Sequence, residues 1–177
     1  MKIDVSAALK EVMELYRTQL RAELRAQGHF STGKLSDSIE YEISAVANLV
    51  VGRMFVQDYG EYVERGVKAG DVPYAGGRGR GGTSRYIEGL IGWWQEKGLG
   101  PKEAKSAAFA TANKHRVEGI PSRNSYGING SNGERKNFVA RTLNANESKV
   151  IALITRKTGT AVQLAFTQLL GKYPEIK

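Results

Sequence analysis

The sequence contains no cysteine. That excludes disulfides, zinc-thiolate sites and thiol nucleophiles. Histidine is almost as scarce: His29 and His115 are the only two, and neither sits in a spacing such as His-x-x-x-His that would hold a metal. No GxSxG elbow supports a serine nucleophile. No stretch reaches the length of a membrane span. The start, MKIDVSAALKEVMELY, carries acids early and has no unbroken apolar run, so it does not read as a signal peptide.

What is present is a 177-residue chain, 41% hydrophobic and 25% charged, with a net charge of +8 and a pI near 9.7. These proportions are globular, and the length suits one domain with a real core. A positive excess favours polyanions such as nucleic acid or acidic protein faces, though many basic proteins bind neither.

Hydrophobic spacing predicts the elements. From Ile3 to Gln27, Leu9, Val12, Met13, Tyr16, Leu20 and Leu24 recur at helical steps, and Gly28 is a natural stop. Thr32 is placed to cap a short helical turn through Leu35. Ser38–Ser44 alternates as a strand, while Asn48–Gln57 is more continuously apolar. The short turn between them predicts an antiparallel hairpin, with a bulge at Gly52. Helices are expected over Tyr86–Lys97 and Lys102–Glu118, the latter after Pro101 and before a Gly119-Ile120-Pro121 stop. The last element, about Phe138 to Leu170, reads as one helix or as two broken near Asn146 or Gly159.

The expected fold is therefore α+β: a long N-terminal helix and a small antiparallel sheet, a hairpin plus an added strand, packed by C-terminal helices. One domain, 1–177, is expected, with mobile loops at 67–84 and 122–136. The first loop holds five glycines between Gly76 and Gly82, with Arg78 and Arg80 among them and Arg85 just beyond. It lacks a Walker lysine-serine pair. It reads either as a charged linker or as a tract touching nucleic-acid phosphates.

The stretch Asp58–Gly66, DYGEYVERG, follows the strongest strand signal. Tyr59, Tyr62 and Val63 give it an apolar side; Asp58, Glu61, Glu64 and Arg65 give it a charged side. With no second motif beside them, the acids read as a solvated or ion-paired face rather than an acid–base pair. Trp93 and Trp94, beside Leu90 and Ile91, read as core or subunit contact rather than base-stacking platforms.

Together these segments resemble the tail-completion and head-to-tail joining proteins of long-tailed phages. The likeness runs, in the family's order, through a long N-terminal helix, TGKLSDSI (Thr32–Ile39), YGEYVERG (Tyr59–Gly66), IEGLIGWWQEKGL (Ile87–Leu99), AFATANKHRVEGIP (Ala108–Pro121) and NFVARTLN (Asn137–Asn144). The prolines usual around Phe138 are missing, and the GGRGRGG and 122–136 stretches stand as insertions. The resemblance implies a structural virion protein, not an enzyme, with no cofactor and no membrane partner. It would form a homo-oligomeric ring at the neck, assembled in the host cytoplasm. Its partners would be copies of itself, portal or adaptor and tail-tube proteins, and DNA touched non-specifically in the channel. On that implication Tyr59, Tyr62, Glu64, Gly66 and Trp93 lie at subunit contacts, and Arg78, Arg80 and Arg85 face DNA. The alternative is a nucleic-acid-binding module using the Gly/Arg loop.

Overall fold

A computed structural model describes residues 5–29, 32–46, 49–74, 76, 84–127 and 132–172, with residues 46 and 160–172 described by backbone alone. The order is α1 (Val5–Ala26), α2 (Lys34–Asp37), β1 (Glu40–Val46), β2 (Leu49–Phe55), α3 (Gly60–Arg65), α4 (Arg85–Glu96), α5 (Pro101–Glu118) and α6 (Phe138–Lys172). The fold is α+β as expected: mostly helical, with a small antiparallel sheet against helices. Among the described residues the sheet has two strands, and beyond it there is one isolated antiparallel bridge, Val67 to Ile120.

The chain groups into two compact units. The first comprises Met1–Glu23, Leu35–Gln57 and Val139–Lys177; the second comprises Leu24–Lys34 and Asp58–Phe138.

In the first unit, the apolar stripe of α1 buries Ala8, Val12, Met13 and Leu20. The hairpin lays one face on this helix. A Cβ on Gly52 would come within 2.8 Å of Met13 Sδ, so the glycine makes room for that side chain. The register runs one-for-one from Glu40↔Phe55 to Val46↔Leu49, with Ile43 opposite Gly52. The bulge expected at Gly52 is thus absent: a close helix, not an extra residue, explains the glycine. Tyr41 Oη donates to Glu14 Oε2 at 3.2 Å, and Arg17 lies 5.3 Å above the Tyr41 ring. Arg21 closes the lead-in by donating to the carbonyls of Ser36 at 2.9 Å and Ile39 at 3.2 Å.

Helix α6 runs antiparallel to α1 here. Glu23 pairs with Arg141 at 3.0 Å, while Glu11 pairs with Arg156 and Lys157. It is one helix of 35 residues, unbroken at Asn146 or Gly159. Asn146 is held in it by donating to the Thr142 carbonyl at 2.9 Å, and Thr158 does the same to Ile154 at 2.8 Å. Residues that compete with helical backbone elsewhere are here bonded along the helix.

In the second unit, α4 and α5 form an antiparallel helix pair. Ser84 caps α4 by accepting from Ile87 N at 3.3 Å. Ile87 is buried on one helix, and Ala104, Ala108 and Ala112 are fully buried on the other. Alanines four apart present a smooth face that lets the helices approach closely. Trp94 Nε1 donates across the pair to Thr111 Oγ1 at 3.1 Å, so this tryptophan belongs to the packing.

The end of α1 also belongs to this unit. Gly28 takes φ 72°, Gly28 N bonds Arg25 O at 2.9 Å, and His29 N bonds Leu24 O at 2.8 Å, the paired bonds of a glycine helix stop. Residues 132–136 then strap across it. Asn132 N bonds Ala26 O at 2.7 Å, Arg135 Nη1 bonds Gln27 O at 2.7 Å, and Gln27 Nε2 bonds Lys136 O at 3.0 Å. The two ends of the stretch 122–136 are therefore built into structure, its first part as a single 3₁₀ turn over Arg123–Gly127.

Candidate interface residues

Helix α3 is only six residues long, and its surroundings hold it in place. It starts from the turn at Asp58 and Tyr59, which is too tight to continue β2. It stops because Gly66 takes φ 75°, a left-handed conformation open to glycine. Gly66 N closes the last turn on Tyr62 O at 2.8 Å. A Cβ here would fall 2.5 Å from the Ile120 carbonyl, so the position excludes side chains twice over. Just beyond, Val67 and Ile120 exchange both backbone bonds, at 2.7 and 2.8 Å. Asn137, itself at φ 58°, donates its N–H to Glu64 O at 2.8 Å.

Clamped from behind, α3 turns its tyrosines outward: Tyr59 is 42% and Tyr62 is 62% exposed. Glu61 and Arg65 pair along the helix at 3.0 Å, both well exposed. That geometry matches the ion-paired face read from the sequence. Glu64 is half-buried, and its backbone carbonyl serves the Asn137 bond. Gly66 acts inside the unit as the stop and close approach just described.

Trp93 lies on α4, half-buried, edge-on to Trp94 with ring centres 4.7 Å apart and Lys97 Nζ 5.7 Å from its ring centre. Arg85 is the exposed first residue of α4. Arg78 and Arg80 lie outside the described residues. The structure thus places Tyr59, Tyr62, Glu64 and Gly66 on one short element, and Trp93 and Arg85 on another.

The titratable groups have structural settings. His29 Nε2 donates to the Arg135 carbonyl at 2.9 Å. Burial holds its pKa below the usual histidine value, and the Arg135 charge adds to that. His115 Nδ1 and Tyr86 Oη share a hydrogen bond at 2.6 Å. Burial lowers this histidine too and pushes the Tyr86 hydroxyl up to about 12. Both imidazoles are therefore neutral near pH 7 and committed to hydrogen bonds. No group of three or more acidic or histidine side chains is set to hold a metal ion among the described residues.

Sequence reasoning missed two surfaces. On β2, Leu49 is 63% and Phe55 48% exposed, followed by exposed Val56. On α6, Phe138, Thr142, Asn146 and Val150 form the buried stripe, while Leu143, Ile151 and Ile154 are exposed. The signal was there in both cases: a strand apolar on both faces and a helix with apolar residues beyond one stripe. No family model, curated protein or solved structure matches this chain.

Proposed function

We propose that this protein is a structural part of a virion, assembling as a homo-oligomeric ring at the head–tail joint of a tailed phage and forming part of the DNA conduit. The observation that carries the reading is α3: two exposed tyrosines, Tyr59 at the head of a short helix and Tyr62 on it, braced by the Val67–Ile120 bridge and the Asn137 bond. Tyrosine on a rigid support gives large contact area at little entropic cost, the composition of protein–protein interfaces. The ordered motifs from Thr32 to Asn144 supply the phage context. The +8 charge suits a wall beside DNA. Its neighbours would be portal or adaptor proteins on one side and tail-tube proteins on the other.

The test is sedimentation velocity with negative-stain imaging of the full chain. Rings are expected, and Tyr62→Ser should weaken self-association about tenfold or more, as central interface tyrosines do. A protein that stays monomeric under every condition and is missing from particles overturns the reading. The nucleic-acid alternative draws on the net charge and on Arg85 at the exposed head of α4. Salt-titrated DNA binding separates the two. A steep salt slope that flattens in Arg78→Ala and Arg80→Ala favours the alternative, whereas weak binding throughout favours the ring.

A further inference from the structure

Resting on the ring reading, we propose that copies of this chain join through their hairpins. The free edge of β1 in one copy pairs antiparallel with the free edge of β2 in the next.

The first ground is incompleteness. Each strand has seven residues, and none of their described side chains is buried. A two-stranded hairpin alone is marginal in water and gains independent stability only with further strands or cover. Helix α1 supplies cover on one face, where Met13 meets Gly52. The other face carries Phe55 opposite Glu40, Arg53 opposite Glu42, Val51 opposite Ser44, and Leu49. Leu49 and Phe55, at its two ends, are the exposed apolar residues of β2.

The second ground is the edges themselves. Among the described residues no hydrogen bond reaches the outer backbone of either strand. An unpaired edge is a template for another strand, and proteins usually blunt it with bulges, proline or lysine. Neither strand contains proline or lysine, and the register has no bulge.

The third ground is sign, and it selects the occupant. Strand β1 carries Glu40 and Glu42 and no base; β2 carries Arg53 and no acid. Pairing β1 with β1 brings four carboxylates together, and pairing β2 with β2 sets arginine beside arginine. Pairing β1 with β2 of the next copy repeats between chains the Glu42–Arg53 contact made within each at 3.2 Å. Unlike edges give a head-to-tail contact, the kind that propagates and closes into rings. Main-chain bonds then supply affinity, as in other strand additions.

The absence of native cysteine gives a clean test. Full-length Ser44→Cys and Val51→Cys proteins, each with one thiol and all three charges intact, are mixed, mildly oxidised and weighed by mass spectrometry. The mixed disulfide dimer should exceed either same-variant dimer about tenfold, because like-charged edges repel. Arg53→Glu added to both should abolish that excess. Leu49→Cys in place of Val51→Cys covers a two-residue slip in register. Dominant same-variant dimers overturn the proposal. So does the lack of cross-links in a mixture that still sediments as rings, a result that leaves the ring reading standing and puts the contact elsewhere. Monomers without cross-links overturn both.

Discussion

The α4–α5 pair and the β1–β2 hairpin are built on opposite principles. The helix pair fully buries Ile87 on one side and three alanines on the other, and locks them with the Trp94–Thr111 bond. The hairpin buries none of its described side chains and leaves Leu49 and Phe55 in water. Burying one isoleucine stabilises by roughly 1.5–3 kcal/mol, so the first region carries its own stability while the second depends on what lies against it. The contrast teaches that one chain can hold both an element sealed by its own side chains and one that leaves apolar side chains in water.

The largest effect is expected of Gly66→Ala, at the stop of α3 in the same compact unit as the helix pair. The new Cβ meets the Ile120 carbonyl in a left-handed backbone. Strain and overpacking together should cost roughly 2–5 kcal/mol, read from the urea midpoint. An effect below about 1 kcal/mol would mean that the Val67–Ile120 bridge gives way easily and that α3 is not braced.

Acidity separates the regions by window. His29 and His115 have folded values lowered by burial, so the unfolded chain takes up the proton first as pH falls. Stability should be complete above the unfolded value of 6.5 and decline as pH drops below it toward the folded values. In the hairpin's unit Glu14 is held down chiefly by its bond to Arg17. Its contribution should be present above 4.5 and be lost only as pH falls further. Urea midpoints at about pH 7.5 and 5.5 check the first window, bracketing the ordinary histidine value. In His29→Gln the difference between those two midpoints should shrink.

The smallest expected effect lies in the hairpin. Phe55→Ser should change unfolding of the isolated chain by less than about 0.5 kcal/mol, as an exposed site does. The same change should weaken self-association. If it destabilises the monomer as core substitutions do, the hairpin is finished within the chain and the contrast collapses.

Much of the local architecture was legible because it is written in short-range patterns. The stripe of α1, the alternation of β1, Pro101 at the head of α5 and the stops at Gly28 and Gly119 each rest on residues within a few positions. Features set by distant partners were not legible. Gly52 looks like a bulge until Met13 is seen beside it. Asn146 continues α6 because it lies on the buried side of the helix with Phe138, Thr142 and Val150, a setting its neighbours in sequence do not announce. The grouping into two units depends on where the chain returns. For the candidate surface, the sequence pointed to Tyr59 and Tyr62. It did not reveal the bare side of β2, because a continuously apolar strand normally signals cover on both faces.

The strap over the end of α1 has a consequence in time. Its bonds join residues 106, 108 and 109 positions apart. During synthesis the first helix must wait, its last carbonyls facing water, until residues more than a hundred positions later have left the ribosome. Closing so long a span carries an entropic cost and tends to slow folding. A nascent chain stalled before Asn132 should therefore carry a frayed first helix, and translation would set the order in which this molecule matures.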